Sequence, residues 1–283
     1  MVGRAAVNFI HGDKATTYFF KDGEYVRVQW TPGSNDDRVT FGPAKITDHW
    51  KALSDAGFGR VDAILPIPGK ENRAYFFCGG EYARIQYTPG DGPEGQILGG
   101  VRSLNNWRSL AIAGWDCVDA AILVPGTTDQ AYFFSRNEFC RVSFKEGSGS
   151  VDELLEGPYL IQQRWSNLGF QTIDTIIPSP SSPNQAYVFS GGMAARIELI
   201  FGGGVDVKAG PMSTAEYWRS LGEVGFYSTG HARPRARSGC WWPIIWLFGI
   251  FIMIWVFLKT RALKLRKAWN TRELSPESRP LLG

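Results

Sequence analysis

In the run Ala74-Tyr75-Phe76-Phe77, then Gly79-Gly80, then Tyr82-Ala83-Arg84-Ile85, an aromatic stretch gives way to a turn and then to alternating apolar and polar positions. Aromatic and β-branched residues bounded by glycine and proline predict half-buried strands. The segment around this run reads as strands at 61–65, 74–78 and 82–87, with a weaker fourth at 96–98. Turns fall at Pro66-Ile67-Pro68-Gly69 and at Thr88-Pro89-Gly90-Asp91-Gly92, where proline presets φ and glycine allows positive φ. A short helix closes the segment. Ser103 is its predicted N-cap, and Leu104, Trp107 and Leu110 share one face.

The pattern recurs four times. Tyr18, Tyr75, Tyr132 and Tyr187 lead the copies, 57, 57 and 55 residues apart. Arg27, Arg84, Arg141 and Arg196 follow nine residues after each tyrosine. Gly42, Gly99, Gly157 and Gly210 precede the helical stretches, which hold Trp50, Trp107, Trp165 and Trp218. Self-similarity at this period marks a repeat architecture. Four-stranded units that are apolar on both faces must stack. The terminal units keep the full aromatic set, whereas a solenoid needs polar caps at its ends, so the expected fold is all-β: a closed four-bladed β-propeller.

These residues carry a family resemblance. The unit with Ala-Tyr-Phe-Phe, Gly-Gly-Glu-Tyr-Ala-Arg-Ile, Gly-Pro and Trp resembles the hemopexin repeat. The run from Trp30 to Val39 with Phe41-Gly42-Pro43 is similar to plant seed albumins of the hemopexin fold. The resemblance covers residues 4 to 230 and specifies fold far more than function. The blades are expected at about 4–60, 61–117, 118–172 and 173–230. Secreted members of the family usually join blade one to blade four by a disulfide. Here unit one has no cysteine, and unit four has none before Cys240. Cys78, Cys117 and Cys140 are expected to be reduced thiols, although the sequence leaves a Cys117–Cys140 pair open.

Composition changes the picture after residue 230. The chain is 44% hydrophobic and 20% charged with a net charge of +3, which fits a globular core and gives no reason to invoke nucleic acid. Much of the basic excess lies at the C-terminus, in a linker at 231–240 and a tail at 259–283. Between them, 241–258 is an uncharged run that includes Trp241, Trp242 and Trp255 as interfacial aromatics, about 27 Å long as a helix. We read it as a single transmembrane helix. No cleavable signal peptide is visible. Six Lys/Arg between Lys259 and Arg272, against three between Arg233 and Arg237, favour a cytosolic tail. A folded domain preceding the span favours a C-terminal anchor with a cytosolic propeller, and this second argument is given more weight.

The repeat then selects chemistry. Asp62, Asp119 and Asp174 share one position at the first strand of units two, three and four, and the sequence register puts Ala5 there in unit one. First strands line a propeller's channel, so the position becomes a ring of oxygen ligands suited to calcium or to polyamine ammonium groups. The resemblance implies the same mouth for cations, and polyamine or haem ligands. The alternative is that each Asp satisfies strand-end amides. Haem finds little support in His11, His49 and His231, because Asn106, Arg164 and Tyr217 stand where His49 does in the other units, a solvent-facing set. No catalytic constellation is apparent, so a non-enzyme is expected. Gly202-Gly203-Gly204 reads as a turn, and the repeated arginines as structural, snorkelling or pairing between blades, rather than as a four-fold anion site. Two functions remain open: a membrane-anchored module binding a cation or small ligand, or a scaffold with a structural channel ion and protein partners on its rim loops.

Overall fold

The computed structural model describes residues 5–11, 14–147, 151–200 and 202–226. Sixteen strands form four antiparallel sheets of four, each in sequence order. The first sheet holds β1 (Ala5–His11), β2 (Lys14–Lys21), β3 (Glu24–Trp30) and β4 (Arg38–Lys45). The second holds β5 (Ala63–Pro66), β6 (Arg73–Cys78), β7 (Glu81–Thr88) and β8 (Glu94–Ser103). The third holds β9 (Ala120–Leu123), β10 (Gln130–Ser135), β11 (Glu138–Ser143) and β12 (Glu153–Leu160). The fourth holds β13 (Thr175–Pro178), β14 (Gln185–Ser190), β15 (Met193–Ile200) and β16 (Gly204–Ser213). In the second blade β8 is ten residues long, well beyond the predicted 96–98.

The ring closes. β1 touches β5, β5 touches β9, β9 touches β13, and β13 returns to β1. Apolar side chains on both faces of each sheet have nowhere else to go, so four hydrophobic cores form between neighbouring blades. One joins Phe20, Trp50 and Phe76 of blades one and two; the next joins Phe77, Trp107 and Phe133 of blades two and three. Phe134, Trp165 and Val188 bind blades three and four, and Phe19, Trp30, Phe189 and Trp218 close blade four onto blade one. Polar contacts cross the same seam: Asn8 Nδ2 donates to Pro178 O at 2.6 Å, and Gly33 N to Tyr187 Oη at 3.1 Å. Cys78, Cys117 and Cys140 form no disulfide among the described residues, so the described ring closes without one.

Each predicted helix is broken at its tryptophan. α1 (Ile46–His49) and α2 (Lys51–Asp55) flank Trp50. A 3-10 turn at Leu104–Asn106 and α3 (Arg108–Ile112) flank Trp107, and the Ser103 side chain accepts from Asn105 N as its sequence position suggests. α4 (Ile161–Arg164) precedes Trp165 and a 3-10 turn, while α5 (Thr214–Tyr217) and α6 (Arg219–Glu223) flank Trp218. The tryptophan stays buried while the second half leans on the outer strand of the next blade: α2 on β8, α3 on β12, α6 on β4. The glycine before each helix has φ between 80° and 91°. A side chain at Gly42 would put its Cβ 2.6 Å from Tyr25 O, and one at Gly210 would put it 2.7 Å from Ala194 O. The outer strand slips register at this level, and only glycine permits so close an approach in this conformation.

Among the described residues no helix is long and apolar enough to cross a membrane. The expected span at 241–258, its linker and its tail lie outside the described residues.

Candidate functional site: the channel mouth and the blade grooves

Asp62, Asp119 and Asp174 each stand one residue ahead of the first strand of their blade, and the backbone N–H of each donates to the phenylalanine that ends the paired stretch: Phe77, Phe134 and Phe189. Because the first strands meet around the axis, the three residues occupy equivalent places at one end of it. Their carboxylates turn back onto their own sheets. Oδ2 of Asp62 accepts from Gly79 N at 2.7 Å, that of Asp119 from Arg136 N at 2.6 Å and that of Asp174 from Gly191 N at 2.8 Å. Arg60 Nε also reaches Asp62 Oδ1 at 3.1 Å. Each carboxylate thus fixes the tight turn between second and third strands, where Gly79, Arg136 and Gly191 all have φ near +57°. Among the described residues no group of three or more His, Cys, Asp or Glu is arranged to hold a metal. A cation at this end would depend on main-chain carbonyl oxygens as well as carboxylates.

Strand register corrects one assignment. Ala5 pairs with Phe20 as Ala63 pairs with Phe77, Ala120 with Phe134 and Thr175 with Phe189. Ala5 is therefore the counterpart of Ala63, and the place equivalent to Asp62 is position 4, outside the described residues. The sequence offered no landmark to set this offset, because unit one lacks the acidic residue that marks it in the others.

Away from the axis, the grooves between blades are the most built surfaces. Blade-one Tyr18 Oη accepts from Gly90 N at 2.7 Å and donates to Gly90 O at 2.6 Å, Tyr25 Oη donates to Asp91 O, and Arg27 pairs with Asp91 at 2.6 Å. The second blade repeats the theme on the third: Gly147 N donates to Tyr75 Oη at 3.3 Å and Arg84 lies 3.5 Å from Glu146. Arg141 instead pairs with Glu156 of its own blade, and Arg196 has no ion pair among the described residues. The reading of the arginines as links between blades holds for the first two.

The sequence did not single out Asp37 and Asp152. Asp152 of blade three receives Arg108 N at 3.0 Å and Ser109 N at 2.6 Å, holding the start of α3 in blade two. Asp37 of blade one does the same for α6 of blade four. The available signal was an aspartate seven or eight residues after Trp30 and Phe144. His49 is exposed, packing beside Tyr25 and Phe41; the side chain of His11 and all of His231 lie outside the described residues. Burial pushes the Cys140 thiol well above its ordinary range, so it stays protonated and unreactive. Gly202 and Gly203, both at positive φ, form the turn before β16.

No family model matches the chain. It is similar to Albumin-2 of Lathyrus sativus, 24% identical over 208 residues, covering 73% of this chain and 91% of that protein. Among solved structures it is similar to a protein from Cicer arietinum described as a plant lectin with two metal-binding sites, with a TM-score of 0.67, 24% identity, and coverage of 79% and 98% of the two chains. A hemopexin-fold protein from cow pea matches with a TM-score of 0.67 and 24% identity, over 78% and 97%. The fold is therefore the hemopexin-type four-bladed propeller, and the homologues are plant seed albumins that share it.

Proposed function

We propose that this chain is a non-catalytic binding module that takes a cation, calcium or the ammonium groups of a polyamine, at the mouth of its central channel. The observation that carries the reading is the convergence of four first strands on one axis, three of them headed by Asp62, Asp119 or Asp174. The two metal-binding sites attributed to the Cicer arietinum protein agree with it. The uncharged run at 241–258 would anchor residues 1–230 to a membrane, with the propeller on the cytosolic side. A second reading, a protein-interaction scaffold whose channel ion is purely structural, is favoured by the engagement of all three carboxylates with turn amides.

Calorimetry with calcium and with spermine separates these readings. Asn retains an oxygen acceptor for each turn amide, so the triple variant D62N/D119N/D174N should stay folded while losing the charge. We expect its affinity to fall at least about tenfold, the equivalent of 1.4 kcal/mol. Unchanged affinity would remove the three residues from the site. Calcium binding that raises thermal stability, with no heat from spermine, would select the scaffold. Flotation of the full chain with lipid vesicles, lost when 241–258 is deleted, tests the anchor. Cleavage of the propeller by protease added outside intact microsomes tests its side.

A further inference from the structure

In three of the four grooves between blades, the hydroxyl of the leading tyrosine is tied to a facing turn: Tyr18 to Gly90, Tyr75 to Gly147 and Tyr187 to Gly33. Tyr132, the counterpart in blade three, departs from this. Its Oη has no hydrogen-bond partner among the described residues, although the residue is only 2% exposed. The reason lies in the facing turn of blade four, where Gly203 N donates within its own turn to Ile200 O at 3.1 Å and Gly203 O accepts the Trp165 indole at 2.9 Å. That turn serves the tryptophan and leaves the tyrosine unserved.

A cavity of about 140 Å³ adjoins this tyrosine. Val124, Pro125 and Tyr132 line it from blade three, and Asn184, Leu199 and Ile200 from blade four. An apolar cavity of about 150 Å³ suffices to hold a ring the size of benzene. None of these lining residues is charged, and the neighbouring Arg141 and Glu156 neutralise each other. Burial holds the Tyr132 phenol above the usual 10.0, so it stays neutral. Water is a poor occupant, since a buried water needs about two to four polar partners. The walls offer the hydroxyl and, from an exposed residue at the rim, the Asn184 amide. A buried hydroxyl without a partner is costly, and an oxygen brought by a guest would remove that cost.

We propose that the cavity between blades three and four binds a small uncharged molecule of about one six-membered ring, its single oxygen hydrogen-bonded to Tyr132 and its apolar body against Val124, Leu199 and Ile200. Phenols and cyclic alcohols share this chemistry. Val124 follows the end of β9, whereas Asp119 precedes its start. The site is therefore separate from the channel mouth and does not depend on it.

The test is saturation-transfer NMR and calorimetry on the full chain, with phenol and cyclohexanol as probes, benzene as the analogue without oxygen and benzoate as the charged one. Binding of phenol or cyclohexanol, tighter than benzene and absent for benzoate, supports the proposal and identifies the source. Y132F removes a hydroxyl that holds nothing in the described fold. It should weaken the bound probe about three- to tenfold, the worth of one hydrogen bond, and leave benzene unchanged. L199F, which fills the cavity, should abolish binding, while R84Q in the neighbouring groove leaves it intact. Phe201, next to Ile200 in sequence, lies outside the described residues, and F201A controls for its side chain. Circular dichroism confirms that each variant is folded. Failure of both probes to bind the unaltered chain, binding that appears only in F201A, equal affinity in Y132F, undiminished binding in folded L199F, or benzoate binding as tightly as phenol overturns the proposal.

Discussion

Among the described residues, one aspartate accepts three hydrogen bonds across the seam between the last blade and the first. Asp37 comes from the loop between β3 and β4 and accepts Arg219 N at 3.2 Å, Ser220 N at 2.8 Å and Ser220 Oγ at 2.5 Å, more than 180 residues away in sequence. D37A removes a charged cap, worth about 0.5–2 kcal/mol. It also leaves the donors of Ser220, a residue only 7% exposed, without an acceptor, at a cost of about 1–3 kcal/mol. The two costs overlap, because the lost cap is partly the lost acceptor, so we expect a total of roughly 2–3 kcal/mol. In a domain of this size each kcal/mol moves Tm by about 2–4 °C, which predicts a fall of roughly 5–10 °C. Differential scanning calorimetry measures it, with the double variant D37A/S220A as the coupling control. Its loss should be smaller than the sum of the two single losses. A shift under about 1 °C, or strict additivity, would show that the hydrophobic core between blades four and one closes the ring without this contact.

Two further predictions concern the scaffold. G210A places a Cβ against Ala194 O, whereas G100A meets nothing within 4 Å although both positions have φ near +80°. Both should lose about 1–3 kcal/mol to backbone strain, and G210A about 1–3 kcal/mol more to the clash; equal denaturant midpoints would refute the bulge argument. Burial raises the pKa of Tyr18, Tyr25, Tyr82, Tyr87, Tyr132 and Tyr217 above the ordinary value of 10.0. The folded state then holds protons that the unfolded chain releases, so stability is intact below pH 10 and declines as pH rises above it. Tyrosinate absorbance should therefore rise together with loss of near-ultraviolet dichroism. Full ionisation near pH 10 with the fold intact would contradict it.

The amino-acid sequence by itself determined the number of blades, the strand order within each and the burial of the repeated aromatics. These depend on local alternation and on a period that the chain repeats four times, and every copy reinforces the same answer. Tyr18, Tyr75, Tyr132 and Tyr187 were legible as core for that reason, as were Trp50, Trp107, Trp165 and Trp218. Tertiary structure alone decided what lies between copies. The helices break at tryptophan because each half is held by a different blade. Ala5 moves off the acidic position because register is set by pairing with Phe20, and the first unit has no carboxylate to show it. The Asp62, Asp119 and Asp174 side chains could face the axis or their own turns, and pattern cannot distinguish two directions of one residue. The groove at Arg84 differs from that at Arg27 because a facing turn from the next blade brings Glu146 rather than Asp91. Such features arise where residues far apart in sequence meet, and a repeat constrains the spacing of its members but not the distance between the surfaces it brings together.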